Sequence, residues 1–536
     1  MIAVSNGWVN AHKETLLPEM FLEITCEATD PSLQRDANVS SNNEAYFSET
    51  DAVIYDIDKK QETIASLELG LWGLDGTFSY LDDDIGDAGY VSASVSLANN
   101  NTFSTTPTIE ITFPTLRQVL IPGLTITWSE AYGEWATRFR VTVYNGDIQL
   151  NQRTVVDNQS ITSTIWMDMV DYTRITIEIL EWSHPNHRAR CTDVFLGIKS
   201  VYYKEDLMGF DHTQSADLLS ASLPKNEITF RLRNEDNRWN PDNPTGVEQY
   251  LLEQQEVRLR YGMTVDGQTE WIKGGTFWLS EWSTPHNGLE ATFVARDAIE
   301  FMQETYTGPM TGTLYDIAVA AFEQADLPSL ATGEQRWYVT GGMLEAYSVD
   351  LSEDPPEMTI AEALQMVAHA GNCVFYQDRD GVVRIEPWNT NYSGFMIDQH
   401  VSYSHPEYEF TKPVKSVSVA YGEDRAVVPV ADRGEVQTVD NEFITTRPHA
   451  LAVGERAREI LESRKVISGD FRADVRLDAL DPIIVTSKYA TNIVAITDVS
   501  YSTTGGAFRG SYTGRVVSLA LQTEDRYSDE FYVGEI

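Results

Sequence analysis

Only three cysteines occur in the 536 residues, Cys26, Cys191 and Cys373, far apart and without a CxxC pair. A disulfide framework and a cysteine-ligated zinc site are therefore not expected. Basic residues are scarce too: 39 Lys and Arg stand against 81 Asp and Glu, a formal charge of −42 with a pI near 4.4. Nucleic acids are held chiefly by cations that neutralise phosphates, so this balance argues against a nucleic-acid binder. No run approaches the ~20 apolar residues that span a bilayer. The start, Met1–Trp8, lacks a basic segment followed by an apolar stretch. We expect a chain made in a cytoplasm, with no membrane-spanning segment and no Sec-type export signal. Catalytic signatures are missing as well: HExxH, GxSxG, GxxxxGK[ST] and GxGxxG do not occur, which leaves the well-specified metal, nucleophile and phosphate chemistries without support.

What is present is globular and long. At 536 residues, with 42% hydrophobic and 22% charged residues, the chain exceeds a single core and divides into roughly three or four units. Most periodicity is two: Met20, Leu22, Ile24, Cys26 and Ala28 alternate with more polar neighbours, the pattern of a half-buried strand. The same alternation returns at 139–143, 175–179, 228–232 and 417–419, between clusters rich in Gly, Asn and Pro. Antiparallel sandwiches or barrels follow. Asn145-Gly146 suits a tight type I′ hairpin.

Helices are few and late. Leu314, Ile317, Ala318, Ala321, Phe322 and Ala325 mark one face behind Thr313, a candidate N-cap, and that helix should end near Pro328. Thr359 and Glu362 read as a capping box that opens a helix stopped by Gly371. Pro448 opens a third, with Val453, Ala457, Ile460 and Leu461 inward. The first third reads as essentially all-β.

Several residue groups carry possible chemistry. Asp82, Asp83, Asp84 and Asp87 precede Gly89 and offer oxygen ligands to a hard cation such as Ca²⁺. Their spacing is not that of an EF-hand, and a solvated acidic turn is the simpler reading. No other cofactor is implied. His184 and His187 flank Pro185-Asn186. Proline there breaks the i, i+4 helical geometry and no third ligand is apparent, so these read as incidental loop histidines, like His400 and His405. Asn234–Pro244 is dense in Asn, Asp and Pro, a rigid turn-rich loop that Trp239 would pin to the core. Aromatics concentrate between 128 and 182 in a Thr/Asn-rich stretch. Alternation places Trp128 in the core. Tyr132, Trp135, Arg138, Trp182 and His184 are the candidates for stacking on, and hydrogen bonding to, a carbohydrate.

Glu227–Asn234, Asn240–Pro244, Tyr250–Leu252, Val257–Gly262 and Trp271–Trp282 together resemble the N-terminal portion of phage tail-hub, or tail-associated baseplate, proteins. The resemblance spans residues 1–70 and 204–536. Between them, Leu71–Phe78, Gly89–Val91, Ile109–Phe113, Gly123–Trp128 and Ala189–Ile198 are similar to the galactose-binding-like (discoidin) jelly rolls inserted into such hubs.

The fold so implied is mainly β with α+β: β-barrel hub domains, an inserted β-sandwich jelly roll and a mixed α+β C-terminal part. The expected units are 1–70 and 204–302 for the first hub domain, 71–203 for the insert, 303–420 for an α+β domain, and 421–536 for a β-rich domain with one helix. The resemblance implies a structural homotrimer at the distal end of the tail in a virion. It would ring the tail axis and contact the distal tail protein, the tail tube, the tape-measure protein and receptor-binding proteins. DNA would be passing cargo and a host-surface glycan a ligand of the insert. The chain ends at Ile536 without a peptidoglycan-hydrolase extension, so no enzymatic role is expected. The competing readings are a glycan hydrolase targeted by the sandwich and a free-standing carbohydrate-binding adhesin.

Overall fold

The computed structural model describes residues 2–517 except 15–17, 30–32, 34–35, 55–62, 67, 69, 72–77, 79–88, 236, 238, 241, 244–254, 266, 285–287, 328–334, 354, 392–393 and 505–506. Asp82, Asp83, Asp84 and Asp87, the expected helix end at Pro328 and the segment Tyr250–Leu252 lie outside the described residues. Strand dominates, as the alternation predicts.

One 13-stranded sheet organises the molecule. Met20–Thr29 lies between Gly197–Tyr203 and Glu256–Val265, antiparallel to both. From there the sheet runs through Gln268–Ser283, Glu290–Arg296, Lys225–Arg233, Leu207–Ser215, Thr491–Thr504, Ala507–Val516 and Lys465–Phe471 to Glu407–Phe410. The expected barrels do not close: among the described residues the hydrogen-bonded path stays open between Gly197–Tyr203 and Glu407–Phe410. Register shifts at Leu259/Arg260, Leu279/Glu281 and Ile496/Asp498 are the irregularities that bend and coil a sheet. The coiling lets Leu22, Phe230, Tyr261, Ile483 and Tyr501, from distant strands, share one core.

Asn38–Ser41 pairs with Thr108–Arg117, and Leu33, Ala37, Val53 and Ile54 join the sandwich core. Among the described residues, the sandwich core runs from Leu33 to Leu196, overlapping the expected 1–70 segment at its start. It packs a five-stranded sheet, Asn38–Ser41, Thr108–Arg117, Tyr172–Trp182, Ala136–Asn145 and Ile148–Val155, against a three-stranded one, Asp193–Phe195, Ile121–Thr127 and Thr162–Met169. Trp128 sits edge-on to Phe139 and Trp182, with ring centroids 5.0 and 6.1 Å apart, the arrangement aromatic quadrupoles favour. Asn145 pairs with Ile148, so the hairpin turn is Gly146-Asp147, with positive φ at Gly146 alone. The expected type I′ turn is therefore not formed, since that type needs positive φ at both central residues.

The expected boundary at 420/421 falls within the hairpin in which Tyr421 pairs with Asp424 and Ala420 with Arg425. Helices Leu314–Ala325, Ile360–Ala370 and Arg447–Leu461 share one core with the sheets around 337–439. Strands Lys465–Phe471, Pro482–Thr486, Thr491–Thr504 and Ala507–Val516 return to the large sheet. The expected capping box of Thr359 with Glu362 forms, and Thr313, expected as an N-cap, forms a second box with Asp316. The helix Asn6–Lys13 was not expected. Ser5 Oγ caps it at Trp8 N, Trp8 is buried in the sheet core, and His12 bonds the Ala473 carbonyl at 3.1 Å.

A buried arginine joins the large sheet to the α+β unit. Arg379 lies in the turn between Val374–Gln377 and Val383–Glu386 and is 5% exposed. It donates to both Asp478 carboxylate oxygens at 2.9 and 3.1 Å, and to the carbonyls of Lys273, Val475 and Leu477 at 2.7, 2.7 and 3.2 Å. Nearby, Asp297 leaves strand Glu290–Arg296 with Oδ2 buried and unpartnered.

Two outcomes follow from this seam. Arg379→Met should destabilise the chain by roughly 3–5 kcal/mol, towards the lower end because Asp478 keeps some solvent; an unchanged denaturant midpoint would contradict the cross-link. Burial pushes the Asp297 carboxyl up to about 7, against about 3.9 in an unfolded chain. The folded state thus keeps a proton that the unfolded state loses, and the resulting penalty grows from about pH 4 and is complete above about pH 7. Asp297→Asn should therefore gain in melting temperature over the parent at pH 8 more than at pH 4, and equal differences at both would refute this.

Candidate functional site

The sandwich brings two loops together at one end. In the first, Ser129 and Glu134 exchange backbone hydrogen bonds at 3.0 Å in both directions, and Gly133 takes φ +63° to close the turn. The second, Ser183–His187, follows strand Tyr172–Trp182. It is tied to the first where Ser183 N donates to the Trp135 carbonyl at 2.9 Å and Trp135 N to Ser183 Oγ at 3.1 Å. Asn186 adopts φ +62°. Ser96 clasps this loop, donating from Oγ to the His184 carbonyl at 2.6 Å and accepting from His187 N at 3.3 Å.

Glu134 is the centre of the assembly and is 2% exposed. Its Oε2 accepts from Trp182 Nε1 at 2.7 Å, and its Oε1 lies 2.5 Å from His187 Nδ1 and 3.9 Å from His184 Nδ1. The two imidazoles stack at 5.5 Å with 14° between their planes. His184 is half exposed and His187 is nearly buried. The third ligand-type group that the histidine pair lacks in local sequence is thus supplied from 50 residues upstream. His400 and His405 are exposed and join no such group among the described residues.

The carbohydrate candidates do not converge on one open face. Trp182 is wholly buried, a correction to its expected place on the surface: its ring is spent on Trp128 and its indole N–H on Glu134. Trp135 is half-buried, with Nε1 bonded to the Asn158 carbonyl at 2.9 Å. Tyr132 pins the backbone of Ile64 through its hydroxyl and lies under the Arg190 guanidinium, 4.3 Å from the ring centroid. Arg138 pairs with Glu181 at 2.7 Å and stays partly exposed. His184 is therefore the most open of the five, and Arg138 comes next.

Below Tyr132, Arg190 forms a two-pronged pair with Glu68 at 2.5 and 3.1 Å, and Arg188 N adds a bond at 2.7 Å. Burial alone would raise the Glu68 carboxyl, but these donors outweigh it and hold the group below the usual carboxylate range. This fixed charge pair, missed in the sequence, braces the loop end. Elsewhere, a cavity of about 500 Å³ opens at the Arg379 seam, lined by Asp297, Asp378, Glu386, Trp388, Asp478 and Asp481 among others. Its lining is mostly polar and carries Lys225 and Arg379 beside the carboxylates.

No family profile matches the chain, and no curated protein matches its sequence. In fold it is similar to solved phage tail and baseplate proteins. The 43 kDa tail protein of prophage MuSo2 from Shewanella oneidensis is 12% identical over 59% of this chain and 94% of its own, with a TM-score of 0.40. The tail protein from Neisseria meningitidis MC58 is 10% identical over 60% of this chain and 94% of its own, at 0.43. The family 32 carbohydrate-binding module of NanJ from C. perfringens, solved with galactose, is 11% identical over 34% of this chain and 99% of its own, at 0.20.

Proposed function

We propose that the chain is a structural hub of a phage-type tail, a trimer at the distal end of the virion's tail that rings the tail axis. In this reading it joins the tail tube and distal tail protein to the receptor-binding proteins. The tape-measure protein and then DNA pass through the ring, and the sandwich reaches outward to a host-surface glycan. The proposal assigns no catalytic step.

One observation carries it: a self-contained sandwich enters and leaves the large sheet through adjacent antiparallel strands, where Thr29 pairs with Gly197. The sandwich core shares no residue with the sheet core. Such an arrangement hangs a separate module on a framework without disturbing the framework's pairing. The framework in turn offers a place for neighbours. All four residues of the edge strand Glu407–Phe410 are exposed, including Tyr408 and Phe410. Unpaired edges with exposed aromatics are templates for strand addition by another chain.

Charge supports the passage of DNA. Three copies carry three times −42, or −126, and an acidic lining would repel a polyanion rather than release counterions and hold it. Of the carbohydrate candidates, His184 and Arg138 remain available as polar contacts, with Tyr132 and Trp135 as the partly exposed rings.

Particle images of the purified chain should contain threefold rings. Deleting 30–196 and joining Thr29 to Gly197 through a short Gly-Ser link should leave the rings intact and abolish the module's contribution to host adsorption. Solitary molecules, even when mixed with the distal tail protein, would sink the hub reading. Unchanged adsorption by tails carrying the deletion would sink the receptor-contact part alone.

A further inference from the structure

We propose that Glu134, His184 and His187 together bind one divalent transition-metal ion, with Zn²⁺ the best fit by ligand type. The three ligand atoms lie within 4.8 Å of one another. They come from two loops that backbone bonds and the Ser96 clasp already hold in place. Two imidazole nitrogens and one carboxylate oxygen form a borderline donor set, suited to Zn²⁺, Co²⁺ or Ni²⁺ and poorly suited to Ca²⁺ or Mg²⁺, which take oxygen ligands.

The distances bracket what an ion needs. Metal bonds of about 2.0–2.2 Å in a tetrahedron place the ligand atoms about 3.3 Å apart. Glu134 Oε1 and His187 Nδ1 are closer than that, at 2.5 Å, and Glu134 Oε1 and His184 Nδ1 are farther, at 3.9 Å. An ion therefore opens the first pair by less than an ångström and draws His184 inward by a similar amount. His184 is half exposed, and its movement exchanges the contact of Nδ1 with Ser183 Oγ at 3.1 Å for the ion. Metal binding at Nδ1 requires that nitrogen to be free of its proton, so each neutral imidazole carries its one proton on Nε2 and both bind as neutral ligands.

The surroundings are those that a ligated carboxylate uses. Trp182 Nε1 holds Oε2 at 2.7 Å, which leaves Oε1 turned toward the two rings. Supporting donors of this kind orient metal ligands and tune their affinity. The bound ion would fasten the Ser129–Glu134 turn to the Ser183–His187 loop more firmly than the hydrogen bond between His187 and Glu134 does.

The test uses the full chain with Zn²⁺, then Co²⁺, each added after chelation and removal of the chelator. One Zn²⁺ should bind per chain with a rise in melting temperature, and Co²⁺ should give the intense visible bands of a four- or five-coordinate site. His184→Ala removes an exposed ligand without touching the core. It should weaken Zn²⁺ binding roughly 10-fold or more and abolish the Co²⁺ bands, by analogy with supporting-residue losses of about 10–100-fold. Glu134→Gln should do the same. Zn²⁺ uptake and affinity equal in the parent and His184→Ala, or no uptake by the parent, would overturn the proposal.

Discussion

The strand Met20–Thr29 is the constraint on which the architecture depends. It is paired along both edges, to Gly197–Tyr203 on one side and Glu256–Val265 on the other. Because the first partner lies just beyond the sandwich and the second well beyond it, a single strand fixes where the insert leaves the sheet and where it comes back. Loop-closure entropy grows only slowly with loop length, so a long excursion between two paired strands costs little once its own core stabilises it. The sandwich meets that condition through the Trp128, Phe139 and Trp182 cluster.

Local sequence revealed those elements whose signals are local. The alternation at Met20–Ile24, the N-cap at Thr313 and the capping box at Thr359 needed only neighbouring residues to be read. The helix Asn6–Lys13 escaped because eight residues are too few to be stable alone; contacts of Trp8 and His12 with residues far along the chain hold it. The start of the sandwich escaped for a related reason. Asn38–Ser41 is four residues long, and its partner Thr108–Arg117 lies some 70 residues away.

The loop site failed to appear in the sequence because its parts are remote from one another. Nothing near His184-Pro185-Asn186-His187 points to Glu134, and only the pairing of Ala136 with Trp182 brings the two loops together. Trp182 was misplaced because aromatic density in a polar stretch does not reveal which face of a strand a ring occupies. The scarce cations tell a similar story. Arg190, Arg336, Arg379 and Arg476 are all buried, each against a carboxylate: Glu68, Glu256, Asp478 and Asp474. Each such pair removes one charge of either sign from the surface and leaves the net charge of −42 unchanged.

The attachment of the N-terminal helix bears on how the chain is made. Ile2 N donates to the Arg476 carbonyl, and Arg472 reaches the carbonyls of His12 and Glu14. These partners are separated by about 460 residues. A ribosome releases the N-terminal residues long before the segment that receives them, and non-local contacts of this kind slow folding. The sandwich can mature while still tethered, but the large sheet has to wait for nearly the entire polypeptide to emerge. Completion of that sheet's core is thereby postponed until synthesis is almost finished, so a chain released early lacks the partners that hold its first helix.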